Sequence, residues 1–181
     1  MPFNFIKTEI DGLVIVEPKV FGDERGFFLE SFKKSDFVNN GINVDFKQDN
    51  HSYSTKGVLR GLHFQKNPAA QAKLVRVIKG AVWDVAVDIR QNSQTFKKWL
   101  AVELSEDNKK MFYMPGGFAH GFLALTDEVH LMYKCSNEYF PQYDAGIIWN
   151  DPELNIKWPV DRPLLSEKDT KLPLLKDAVV F

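Results

Sequence analysis

Arg60, His63, Lys73 and His120 are the side chains of this 181-residue chain most suited to chemistry. The first two sit in Val58-Leu59-Arg60-Gly61-Leu62-His63-Phe64-Gln65, and the last closes Pro115-Gly116-Gly117-Phe118-Ala119-His120. Imidazole is the side chain whose ordinary pKa lies near neutrality, so two histidines suit proton transfer. A lysine close to them would supply a fixed positive charge to any negative charge that develops. Together these types point to protons moved beside an anion.

Such residues need a scaffold, and the surrounding pattern predicts one made of strands. Val14–Val16, Gly26–Glu30, Val58–Phe64, Lys73–Ile78, Ala81–Ile89, Lys98–Leu104, Met111–Met114, His120–Leu125, Val129–Cys135 and Gly146–Trp149 are short segments rich in β-branched and aromatic residues. Turn signals such as Lys79-Gly80, Asn92-Ser93 and Thr126-Asp127-Glu128 separate them. Helix signals are few: Ser35 to Gly41, with Ser35 as N-cap and Gly41 as terminator, and a capping box at Ser166-Glu167-Lys168-Asp169. The expected fold is mainly β, a jelly-roll barrel or sandwich with a few short helices and an irregular C-terminal tail. With no repeat, linker or low-complexity tract, one domain over 1–181 is expected.

Composition narrows the classes of function. A net charge of −1 gives no bulk attraction to nucleic acid or anionic membrane. The one cysteine, Cys135, excludes an intrachain disulfide framework. No apolar run reaches spanning length and no signal peptide is evident, so a cytoplasmic location is expected. Fifteen Phe, five Tyr and four Trp are enough to pack a β core and to spare some for a pocket or a subunit interface.

Strand alternation assigns faces. Lys73 shares one with Val75 and Val77, opposite Leu74, Arg76 and Ile78, and an outward Arg76 turns Lys73 inward. A lysine inside a β core is expensive unless it is solvated, paired or used. Asp84 and Asp88 alternate with Trp83, Val85, Val87 and Ile89. With that large apolar set between the sheets, both aspartates would face water or a polar cavity.

Pro115-x-Gly117-x-x-His120 is similar to the second cupin motif, but Gln65 stands where a metal-binding cupin more usually carries a second histidine. Two histidines beside an ammonium make a poor transition-metal site, so no metal is expected. Taken alone, Tyr133 is a core aromatic, Tyr139 a packed turn aromatic, and Asp169 the last member of a capping box.

Nearly the whole chain resembles the dTDP-4-dehydrorhamnose 3,5-epimerase family of the cupin superfamily. The resemblance runs through Phe21 to Phe32, Gln48 to Ser52, Gly57 to Gln65, Gln71-Ala72-Lys73 and Gly80 to Val85. It continues through Pro115 to Phe122, Tyr133, Tyr139, Ile148 to Pro152 and Leu165 to Asp169. It implies a cofactor-free epimerase acting on a dTDP-linked 4-keto-6-deoxyglucose. His63 would be the base with Asp169 as its dyad partner, Lys73 would stabilise the enolate oxygen, and Tyr133 would deliver the opposite proton. Arg25, Arg60 and Lys168 would hold the diphosphate, with Gln48 and Asn50 as neutral partners. Tyr139 would stack on thymine, Glu30 accept from the base, and His120 line the sugar or phosphate site. Asp144 stands where the family more often has Glu. A homodimer is implied, in which Arg25 to Glu30 reach the neighbouring site.

Asp84 competes with Asp169 as the orienter of His63, since it lies on the polar face of its strand. Three other functions fit parts of the pattern. One is an epimerase acting on C3 or C5 alone in another deoxysugar pathway. The others are a metal cupin, such as a dioxygenase, and a nucleotide-sugar binding protein without catalysis.

Overall fold

The computed structural model describes residues 2–181. Alternating side chains drive two antiparallel sheets face to face, because each strand has an apolar set that water disfavours. One sheet has six strands in the order β1 (Phe3–Lys7), β2 (Val14–Pro18), β10 (Met111–Met114), β7 (Lys73–Lys79), β12 (Val129–Cys135), β5 (Gln48–Ser54). The other has five: β13 (Asp144–Gly146), β6 (Leu59–Gln65), β11 (Phe118–Ala124), β8 (Ala81–Asp88), β9 (Trp99–Ser105). A separate hairpin, β3 (Val20–Asp23) and β4 (Gly26–Leu29), stands apart from both. Each sheet keeps its own edge strands, so the expected barrel-or-sandwich resolves as a sandwich that is not closed.

The space between the sheets is filled unevenly. Val75, Val77, Phe112, Leu131 and Val129 meet Val82, Ala86, Leu104, Phe118 and Phe122 in an apolar core. Towards β5 and β13 the inward positions become polar, and there the sheets enclose a cavity.

Both outer faces are also covered. On the six-stranded sheet, Phe3, Val16, Leu74 and Met111 pack under Phe37 and Ile42 around α1 (Lys34–Asn39). This helix begins earlier than Ser35. Lys33 takes the N-cap place without a side-chain cap, so burial of Phe37 holds the turn rather than capping. Gly41 ends it at φ +85, with its N–H on Val38 O. On the five-stranded sheet, Leu62, Val85, Val87 and Leu123 pack beneath Leu154, Ile156, Trp158 and Leu175.

That outer core corrects the facing expected for β8. Trp83, Val85, Val87 and Ile89 point to the C-terminal segment, while Asp84 and Asp88 point between the sheets and are fully buried. The segment after β13 is irregular, but it supplies the second apolar cover that makes this orientation favourable. β13 itself lies ahead of the predicted Gly146–Trp149 strand. Among the described residues, no helix is long and apolar enough to cross a membrane.

Asp88 shows how a buried charge is tolerated here. Its carboxylate accepts from Arg90 Nε and Nη2 at 2.8 Å each, from the Arg90 N–H at 3.0 Å, and from Ser93 and Thr95 hydroxyls at 2.6 Å. Burial pushes its pKa up, but these bonds outweigh burial and hold it at about 2, against 3.8 for the free side chain. A carboxyl with a depressed folded-state pKa stabilises above its unfolded value and loses that contribution as pH falls through the folded one. Asp88→Asn is therefore expected to cost about 2 kcal/mol at pH 7 and to flatten the fall in stability between pH 4 and 2. Urea denaturation across that range reads both; a variant as stable as the parent would remove Asp88 as the anchor of this loop.

Candidate active site

The cavity between the polar ends of the sheets measures about 380 Å³. Its walls come from two sources, the β7–β12–β5 part of one sheet and the β13–β6–β11 part of the other. Lys73, Tyr133, Gln48 and Asn50 line the first wall; Arg60, His63, His120 and Asp144 line the second. Tyr139, from the turn after β12, and Lys168, from α2 (Glu167–Thr170), complete the rim.

A bulge in β6 brings the second wall into shape. On a regular strand, residues two apart share a face. Here His63 pairs with His120 while Arg60 pairs with Phe122, so β6 carries one more residue than β11 between these pairs. Arg60 and His63, three apart, therefore both line the cavity. The extra residue passes close to β11, at Gly61 (φ +129), where an added Cβ would lie 2.5 Å from Gly121 Cα. Only glycine tolerates both that angle and that approach.

Each buried group has a distinct electrostatic setting. His63 Nε2 lies 2.5 Å from Asp169 Oδ1. Burial pushes the Asp169 carboxyl up, but the hydrogen bond and charge of His63, with Ser166 and Lys168, together outweigh this and hold it below the ordinary range. An ionised Asp169 only accepts, so Nε2 carries the hydrogen and Nδ1 is left as the free lone pair. The Asp169 N–H donates to Ser166 Oγ at 3.1 Å, which makes half of the predicted capping box. The carboxylate itself is engaged by His63. Asp84 lies elsewhere, with its oxygens 3.0 and 3.1 Å from His120 Nε2. The competition for His63 is thus resolved spatially: each aspartate has its own histidine.

Burial pushes Lys73 down from the usual lysine range, partly offset by Cys135, Asp84 and Asp144. Its ammonium lies 5.9 Å from the centre of the Tyr133 ring. Burial lowers His120, with partial recovery from Asp84, and raises the Tyr133 phenol. His120 is therefore biased to neutral imidazole, and Tyr133 to a phenol that retains its proton.

The polar rim is also arranged. Arg60 is anchored by Ser54 Oγ at 3.1 Å and Tyr53 O at 3.0 Å. Gln48 Nε2 donates to Asn50 Oδ1 at 2.9 Å. Asp144 pairs with Lys168 and accepts from the Tyr139 hydroxyl at 3.3 Å. Burial lowers Lys168, but the Asp144 carboxylate more than reverses this.

Two expected residues lie apart. Arg25 sits in the β3–β4 hairpin, its side chain 85% exposed and paired with Asp23, and Glu30 follows that hairpin. Neither lines this chain's cavity. Conversely, Ser52, Gln65, Gln71 and Phe122 line the cavity without having been singled out for a role. For Gln65, the signal was its place next but one to His63, which sequence reasoning used only to argue against a metal. Among the described residues, no group of three or more His, Cys, Asp or Glu side chains is arranged to hold a metal ion.

A family profile described as dTDP-4-dehydrorhamnose 3,5-epimerase matches residues 7–177. The chain belongs to the dTDP-4-dehydrorhamnose 3,5-epimerase family. It is 56% identical to the enzyme of that name from Shigella flexneri, over 98% of this chain and 99% of the relative. Identity to the Methanothermobacter thermautotrophicus enzyme is 52%, over 99% and 98%. The fold is also that of the Legionella pneumophila Philadelphia 1 epimerase solved in complex with dTDP-4-keto-L-rhamnose. That match has a TM-score of 0.93 and 49% identity, covering 96% of this chain and 93% of the other. Membership makes this chain an isomerase of the epimerase type.

The bulge generates a prediction for this epimerase. Gly61→Ala is expected to destabilise by about 2–4 kcal/mol, through the strained angle and the clash with the β11 backbone. It should also lower activity by shifting His63 against His120. Urea denaturation and initial rates measure the two effects; an unchanged denaturation midpoint would show that the bulge does not depend on glycine.

Proposed function

We propose that this chain inverts C3 and C5 of dTDP-4-dehydro-6-deoxy-D-glucose, giving dTDP-4-dehydro-L-rhamnose for dTDP-L-rhamnose biosynthesis. The whole chain acts as one epimerase domain and uses no cofactor. The observation that carries this is the placement of proton-transfer groups on opposite walls. His63, with Asp169 behind it, comes from the five-stranded sheet; Tyr133, beside Lys73, comes from the six-stranded sheet. Inversion next to a ketone needs that separation, because a proton leaves one face of the carbon and another arrives on the opposite face.

In the proposed reaction, His63 Nδ1 takes the proton from the carbon next to the C4 ketone. The C–H electron pair moves into a carbon–carbon double bond, and the carbonyl electrons move to oxygen, which becomes an enolate. Asp169 stabilises the resulting imidazolium and fixes its orientation. The Lys73 ammonium faces the enolate oxygen in a site where low polarity strengthens the attraction. The Tyr133 hydroxyl then gives its proton to the opposite face of the carbon, and the enolate collapses back to the ketone. Exchange with solvent returns a proton to Tyr133 and removes one from His63.

The remaining groups hold the nucleotide. Arg60 and Lys168 face the diphosphate, with Gln48 and Asn50 beside them, and Tyr139 offers its ring to thymine. With Nε2–H directed at Asp84, neutral His120 presents Nδ1 as an acceptor, which suits a sugar hydroxyl. Arg25 and Glu30 act in a neighbouring subunit's site. The support for a homodimer is the hairpin, which exposes Val20, Phe21, Phe27 and Phe28 at 43, 48, 60 and 65%. Sedimentation at micromolar concentration should then give twice the 20.8 kDa chain mass, whereas a monomer would exclude trans contribution of Arg25.

Incubating the enzyme with the 4-keto sugar nucleotide in deuterated water tests the chemistry. Deuterium and inversion are expected at both C3 and C5. Label at one carbon alone would assign the chain to a single-centre epimerase, and dTDP binding without exchange would remove the catalytic reading. His63→Ala should abolish exchange, and unchanged exchange would discard His63 as the base. Tyr133→Phe should impair completed inversion more than the first proton loss.

A further inference from the structure

Tyr139 stands on a stretch of backbone with no sheet or helix partner. Residues 136–140 run without regular structure between the end of β12 and a short 3-10 turn at Pro141–Tyr143. Side-chain amides hold this stretch in place. Gln65 is 4% exposed and commits its amide to backbone. Its Nε2 donates to Glu138 O at 3.1 Å and to Ala69 O at 2.9 Å, and its Oε1 accepts from the Phe140 N–H at 2.6 Å. The Tyr139 N–H goes to Gln48 Oε1 at 2.8 Å, and Gln71 Nε2 reaches Asn137 O at 2.7 Å.

One amide therefore grips the chain immediately before and immediately after Tyr139. Glu138 O and Phe140 N bracket the two torsions that aim the Tyr139 ring, and fixing both limits the directions that ring can take. The amide is itself fixed, because Gln65 is part of β6 and borders β13 through the Asp144 pairing. An aromatic ring half exposed at a cavity rim loses freedom when a ligand stacks on it, and that cost falls if the backbone is already held.

We propose that Gln65 is a positioning residue for nucleotide affinity, acting through the Glu138–Phe140 backbone to aim Tyr139 at the base. The proposal rests on Tyr139 being the stacking platform, as inferred above. It distinguishes Gln65 from its neighbour in the same strand: His63 serves the sugar carbons, while Gln65 serves the nucleotide without contacting it.

A double-mutant cycle on the full-length enzyme tests this, with dTDP as the probe in titration calorimetry and the sugar nucleotide in initial-rate assays. Gln65→Met preserves volume and removes all three hydrogen bonds. It is expected to weaken dTDP binding and raise KM about tenfold, while kcat changes by less than about threefold, because the proton-transfer groups are untouched. In a Tyr139→Ala background the same change should alter dTDP affinity by less than about twofold. Gln65→Glu keeps the acceptor for Phe140 and loses both donors, so it carries the same test if the Met variant does not fold. Equal loss of affinity with and without the tyrosine ring would overturn the proposal and leave the stacking role intact. Unchanged dTDP affinity in Tyr139→Ala alone would overturn the stacking role, and this proposal with it. A fall in kcat with KM unchanged would also overturn it, by assigning Gln65 to the chemistry.

Discussion

Four ionisable side chains, Lys73, Asp84, His120 and Asp169, are buried around the cavity end of the sandwich, and their compensation governs what surrounds them. An uncompensated buried charge costs several kcal/mol, comparable with a sizeable part of a domain's stability. The fold meets this by matching each carboxylate with an imidazole, Asp84 with His120 and Asp169 with His63. Lys73 is held differently, by the Tyr133 ring and by the more distant fields of Asp84 and Asp144. A ligand entering this space meets groups that are already oriented by these pairings.

The unclosed seam of the sandwich follows from the same constraint. β5 and β13 are edge strands of different sheets, and both send polar residues into the cavity. Apolar side chains at Gln48, Asn50 and Asp144 would fill this space as a continuation of the core. Polar ones keep it open and wettable, while the packed core at the other end fixes the distance between the walls. Precision at the site is thus borrowed from Phe112, Leu131 and Leu104, which lie outside the cavity.

Strands with an apolar stripe were legible in the sequence, including β7, β8, β10 and β12. β5 was not, and its composition explains why. In Gln48-Asp49-Asn50-His51-Ser52-Tyr53-Ser54, the inward positions are the polar ones, so hydrophobic alternation has nothing to register. The facing of β8 was misjudged for a related reason. Alternation separates two faces without saying which cover lies on each, and the cover over Val85 and Val87 comes from residues beyond Leu154. The inward turn of Lys73 was legible because Arg76 had to face out. The meeting of His63 with Asp169 carried no local signal; the family resemblance alone pointed to it. Gln65 shows the converse, since a residue noticed only for standing where a second histidine is more usual also holds the backbone on either side of Tyr139.

The distance along the chain between His63 and Asp169 has a consequence for biosynthesis. Translation makes the histidine first and its carboxylate 106 residues later. Until α2 and the residues around it arrive, the histidine has no partner and the outer face of the five-stranded sheet lies bare. A chain stalled or clipped before that point would be adhesive, with Val85, Val87 and Trp83 open to chaperones and proteases. Closure of the C-terminal segment ends both conditions at once. The segment that hides the surface by which unfinished molecules are recognised also brings His63 its carboxylate partner.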